Sequence, residues 1–155
     1  MDRIVFLTPD VAVTGALSPA DFADIARRGF RALISTRPDG EEPGQLSRLE
    51  EAVHAWRSGL VFRHVPAAKH ELFDDCVVDA MADALTHLPG PVLLHCKSGQ
   101  RSAILWAAAL ARRQPVDGLL ATLKAAGFDL DALREDFAAQ ADRVQKRAPE
   151  RSVAA

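Results

Sequence analysis

"PVLLHCKSGQRSAILWAAALA", residues 91–111, passes from a continuous apolar run through a short polar loop into an alanine-rich apolar run. "PVLLHC" (91–96) has the length of a strand and no alternation, the pattern of a strand covered on both faces in a parallel sheet. From Ser102 to Arg112 the chain is apolar nearly all round and reads as a buried helix. A buried strand that feeds a buried helix through a polar loop is the joint of an α/β fold.

Working outward, "IVFL" (4–7), "RALIS" (31–35) and "LVFRHV" (60–65) are further strands, the last closed by Pro66. In "LSPADFADIARRGF" Ser18 as N-cap, Pro19 at the first helical position and Gly29 at the stop predict a helix between them. Apolar residues at 46, 49, 53, 56 and 60 follow a 3-4-3-4 spacing and predict an amphipathic helix. Leu72 to Leu88 carries Phe73, Val77, Met81, Ala84 and Leu85 along one side and predicts another. Val116 to Ala126, ended by Gly127, and Leu130 to about Lys146 are closing helices. The expectation is an α/β fold: a parallel sheet of about four strands, helices on both faces and additional C-terminal helices. Ligands bind beyond the carboxyl ends of strands in such sheets. The loops "TRPDGEE", "PAAKHE" and "KSGQRS" leave the sheet at that edge and form the predicted site.

Composition excludes several classes of function. The chain has 155 residues, 48% apolar and 26% charged, with a net charge of −2, which gives no footprint for nucleic acid or an anionic membrane. No apolar run approaches the ~20 residues of a membrane span, and the start "MDRIVFLTPD" lacks signal-peptide organisation. Two cysteines, Cys76 and Cys96, suit a reducing cytoplasm rather than a disulfide framework. The scattered histidines have no metal-ligand spacing, so neither a metal nor a cofactor is expected. The anticipated partner is a small anion.

The loop itself supplies that anion's site. Unpaired N–H groups at a helix N-terminus favour negative charge, and Gly99 permits the backbone curl that points them inward. Cys96 lies at the base of this nest, where the same donors favour a thiolate. Lys97, Ser98, Gly99 and Gln100 line it, Arg101 adds a forked pair of donors, and Ser102 can donate to the sulfur.

"HC", "G" and "RS" together resemble the signature loop of cysteine-based protein tyrosine and dual-specificity phosphatases. Over residues 4–112 the resemblance narrows. "LSPADFADIARRGFRALISTRPDGEEPGQ", "HVPA" and "GPVLLHCKSGQRS" are similar to the phosphatase-like domain of beta-lactamase-hydrolase-like proteins, a family often encoded beside sulfide-oxidation genes. The resemblance implies a protein-tyrosine-phosphatase-like fold, with residues 1–147 as one catalytic domain and 148–155 as a flexible tail. It also implies Cys96 as nucleophile, Arg101 as anion binder and His95 as a residue that orients the loop.

Two departures bear on the chemistry. Phosphatases place five residues between cysteine and arginine, whereas "KSGQ" is four, the length that resembles rhodaneses, whose cysteine carries sulfane sulfur. Dual-specificity phosphatases carry a general-acid aspartate just after the strand that "LVFRHV" matches; here Lys69 of "VPAAK" takes that place. A positioned acid is typically worth 10² to 10⁴-fold in ester cleavage, while sulfur transfer has no need of one. Glu71 and His70 are weak substitutes, and Asp74 and Asp75 are expected in the first turn of their helix. Arg37 and Asp39 are expected to contact ligand or brace the cysteine loop; Cys76 and Trp106 are expected in the core.

The leading expectation is therefore a sulfurtransferase that moves sulfane sulfur from thiosulfate or a persulfide to a thiol acceptor through a Cys96 persulfide. The alternative is a phosphatase that cleaves a phosphate ester through a cysteinyl-phosphate. The third is a non-catalytic anion- or phosphoprotein-binding module.

Overall fold

The computed structural model describes residues 3–153, with side-chain surroundings through residue 143. Five strands form one sheet: β1 (Val5–Thr8), β2 (Val11–Thr14), β3 (Ala32–Ser35), β4 (Val61–His64) and β5 (Val92–His95), in the order β1-β2-β5-β3-β4. Helices α1 (Asp21–Arg27), α2 (Arg48–Arg57), α3 (Asp75–His87), α4 (Gln100–Leu110), α5 (Val116–Ala125) and α6 (Arg134–Val153) cover it, with single 3-10 turns at Lys69–Glu71 and Asp131–Leu133. α6 continues past residue 148, where the sequence suggests a tail.

The α/β class is as expected, and the strand count is corrected. "VAVT" forms β2, a strand the apolar pattern alone had not separated from its neighbour. Its insertion turns β1 into an antiparallel edge strand with an irregularity between Phe6 and Thr8, while the other pairings are parallel. β5 lies in the middle of the sheet, with Ala12 and Leu33 opposite Leu93 on its two sides. Strand side chains alternate between faces. Ala12, Leu33 and Leu93 meet Phe22, Ile25 and Ala55 of α1 and α2. Val13, Ile34 and Leu94 meet the layer of α3 to α6, where α4 buries every residue from Ser102 to Ala109.

Three local expectations are corrected. α1 starts at Asp21 rather than Pro19, because Ser18 donates its N–H and hydroxyl to the Asp21 carboxylate instead of capping a backbone N–H. Cys76, in the first turn of α3, is exposed rather than core. The stripe on α2 faces outward: Leu49, Val53 and Trp56 are 71%, 46% and 80% exposed, while Glu51 and Ala55 are buried. The helix is fixed at its start by a Ser47–Glu50 capping box and by Asp39, which accepts from the Arg48 N–H at 2.7 Å. That rotation was invisible to periodicity, because Glu51 turns inward for a partner on β5. Trp106, 2% exposed, is core as expected.

Because Trp56 touches solvent, Trp56→Ser is expected to change stability by no more than about 0.5 kcal/mol. Leu93→Ala in the central strand is expected to cost about 2–5 kcal/mol. Urea unfolding of both variants checks the orientation of α2.

Candidate active site

The carboxyl ends of β2, β5 and β3 stop level, with Thr14 and Ser35 both opposite His95. The next residue, Cys96, is 1% exposed and leaves the sheet at this row. Its N–H is tied to the Thr14 carbonyl, and Lys97 O accepts from Ala16 N–H at 3.2 Å, so the loop after β2 supports the loop after β5. Gly99 then takes φ +88° as the cap of α4, a conformation that side chains with a Cβ resist. An added Cβ would also lie 3.5 Å from the Thr14 carbonyl oxygen. The turn brings the Gly99 N–H to 3.0 Å from Cys96 Sγ. Among the described residues, no backbone carbonyl accepts from the N–H groups of Lys97, Ser98, Arg101 and Ser102, which leaves donors for an anion above the sulfur.

Cys96 forms part of the wall of a cleft of about 610 Å³. Lys97, Ser98, Gln100, Arg101 and Lys69 line it with Glu41 and Glu42, and Leu72, Phe73, Ile104 and Leu133 supply an apolar side. Sequence reading pointed to this loop and to Lys69 but gave the two glutamates no role. Glu41 holds the Arg101 guanidinium by two bonds of 2.9 and 2.7 Å. Glu42 takes a 2.7 Å bond from Arg37 and pairs with Lys97. The hydrogen bonds from Arg101 hold the Glu41 carboxyl below the usual glutamate range; those from Lys97 and then Arg37 do the same for Glu42.

Arg37 is buried and absent from the cleft lining, so of its two expected roles the structure gives it the bracing one. His64 at the end of β4 adds to that brace, 2.8 Å from the Arg37 carbonyl. Ser102 differs from expectation. The Thr36 hydroxyl donates to the His95 carbonyl, and Ser102 Oγ lies 3.0 Å from Thr36 Oγ1, so the serine donates to the threonine rather than to the sulfur. Asp75 pairs with Arg143 at the start of α3, and the Glu71 carboxylate accepts from the Ala68 N–H; neither is a cleft residue. His70 is exposed.

His95, 1% exposed, has Nε2 2.9 Å from Oε1 of Glu51, itself 4% exposed. No hydrogen bond joins the two, and the contact is one of proximity within the core. It explains why α2 turns a carboxylate inward. No group of three or more metal-ligating side chains occurs among the described residues.

A cysteine after a central parallel strand, a glycine turn and an arginine on the following helix define an enzyme of the cysteine-based phosphatase class. Residues 3–113 match the family model described as "Beta-lactamase hydrolase-like protein, phosphatase-like domain", and the chain belongs to that family. It is 37% identical over 130 residues to a beta-lactamase hydrolase-like protein of Xylella fastidiosa, covering 83% of this chain and 30% of the relative. The chain thus spans about a third of the length of that curated relative. A crystal structure of a candidate phosphatase from Neisseria meningitidis superposes with a TM-score of 0.76 at 27% identity, covering 88% of this chain and 97% of the other. One from Shewanella putrefaciens gives 0.68 at 16% identity, covering 90% and 93%, a likeness of fold.

Two outcomes are expected. Glu51→Ala removes the side chain packed against His95 and is expected to lower stability by about 1–3 kcal/mol in thermal or urea unfolding. The Glu41 carboxyl lies below its ordinary value of 4.5. Its link to Arg101 is therefore complete above the glutamate range and lost as pH falls through the lowered folded value. Carboxyl NMR of the free protein is expected to place the Glu41 midpoint below 4.5.

Proposed function

We propose that this domain hydrolyses phosphate monoesters through a covalent Cys96-phosphate, working on small substrates in a reducing, cytoplasmic setting. The observation that carries this reading is the Gly99 N–H on Cys96 Sγ in the wall of a cleft rimmed by Arg101. It supports a nucleophilic sulfur beneath a ring of donors suited to a phosphoryl group. The phosphatase-like family and phosphatase-class neighbours favour phosphate over the sulfur chemistry expected first. Cys96 attacks phosphorus, the loop N–H groups and Arg101 neutralise the equatorial oxygens, and water then cleaves the thiophosphate bond.

Sulfur transfer from thiosulfate or a persulfide to a thiol acceptor is the second reading. It is favoured by the four-residue span from Cys96 to Arg101 and by Lys69 in the cleft. Both readings use Cys96, and one paired assay separates them. Wild type is expected to hydrolyse p-nitrophenyl phosphate, and Cys96→Ser is expected to lose that turnover to background. A wild type that transfers sulfur from thiosulfate and leaves aryl phosphate intact overturns the phosphatase reading in favour of the second.

A further inference from the structure

Phosphate ester cleavage needs a proton for the leaving oxygen, and the customary position offers Lys69. Among the described residues, the carboxylates that line the cleft with Cys96 are Glu41 and Glu42. Their attachments differ. Glu42 is gripped by Arg37, whose guanidinium is buried outside the cleft lining, as well as by Lys97. A substrate that takes Lys97 leaves that grip in place. Glu41 is bonded to Arg101 and to no other side chain among the described residues, and Arg101 is the cation a bound phosphoryl group claims.

A substrate dianion seated on the loop competes with Glu41 for the same two guanidinium nitrogens. Once displaced, the Glu41 carboxylate faces a dianion with its own cation withdrawn. Glu42 also repels it, while Arg37, which acts only from a distance in the free protein, cannot make up the loss. Lys97 is engaged by Glu42, and among the described residues no ion pair joins Lys69 to Glu41. Proton uptake relieves this repulsion.

We propose that Glu41 is the general acid of this domain, set free from Arg101 by the substrate that it then protonates. This rests on the phosphatase reading. In the first half-reaction the Cys96 sulfur forms a bond to phosphorus as the ester P–O bond breaks. The leaving oxygen takes the Glu41 proton, giving alcohol, cysteinyl-phosphate and a Glu41 carboxylate. In the second, water bonds to phosphorus and gives a proton to Glu41 while the P–S bond breaks. Inorganic phosphate leaves, Arg101 re-engages Glu41, whose proton returns to solvent, and the Cys96 thiolate is regenerated. The exchange also ties proton supply to an occupied site, so free enzyme holds Glu41 ionised.

Leaving groups of different stability test this. Glu41→Gln is expected to lower kcat/KM for phenyl phosphate by about 10²-fold or more, and for p-nitrophenyl phosphate by less than about ten-fold. The second leaving group departs readily without a proton. Glu42→Gln is expected to lower both to the same degree. Equal losses on the two esters for Glu41→Gln, or no loss on either, would mean that Glu41 only orients Arg101 and would overturn the assignment. So would selective loss in Glu42→Gln instead. A readout independent of turnover is the Glu41 carboxyl NMR titration with saturating inorganic phosphate, which is expected to move upward from its free-protein midpoint. An unmoved midpoint overturns the exchange. A wild type that cleaves neither ester fails the phosphatase reading itself, whereas an active wild type with parallel losses fails only the role of Glu41.

Discussion

The contact between the Gly99 N–H and the Cys96 sulfur, 3.0 Å long, is the point on which the rest of the site depends. It requires the chain to reverse within three residues of leaving the sheet, which only the left-handed turn at Gly99 allows. It also requires β5 to end where it does, and that is set by two parallel neighbours in identical register, one on each side. Thr14 serves both ends of this arrangement. It pairs with His95 in the ladder, its carbonyl accepts from Cys96, and the same oxygen lies under Gly99. The strand, the turn and the first turn of α4 are therefore one mechanical unit, anchored by a helix that is buried along most of its length.

How much of this was legible in the sequence follows from the range of the forces involved. The central strand and the buried helix are local patterns of apolar period, joined by a glycine turn, and all three are legible in the sequence. β2 escaped because four residues between turns give no periodicity to count. The orientation of α2 escaped for a different reason: its apolar spacing is real, but a buried Glu51 beside His95 outweighs it. That pairing joins residues 51 and 95, and no local pattern announces it. Glu41 and Glu42 lay in a loop already assigned to the site, and their chemistry became visible only when Arg101 and Lys97 were set against them.

Two of the cleft's cations are already paired before any ligand arrives. Arg101 is held by Glu41, and Lys97 by Glu42, which Arg37 grips from outside the cleft lining, so the cations of the cysteine loop are not an open positive patch. On the proposed phosphatase reading, an incoming anion gains the loop's N–H donors outright and must compete for the guanidinium. The same reading makes weak anions that cannot complete that exchange poorer ligands than a phosphoryl dianion, a selectivity that needs no added contact.

The two thiols differ in a way that governs how the protein can be labelled. Cys76 is exposed on the first turn of α3, while Cys96 is 1% exposed in the wall of its cleft. A bulky thiol reagent meets the first freely and is obstructed at the second, whereas a small anionic alkylating agent is drawn to the second by the loop's donors. Reagent size and charge therefore select the cysteine, and a count of modified thiols taken with a single reagent does not by itself report the occupancy of Cys96. A Cys76→Ser background turns any small reagent into a direct counter of free Cys96.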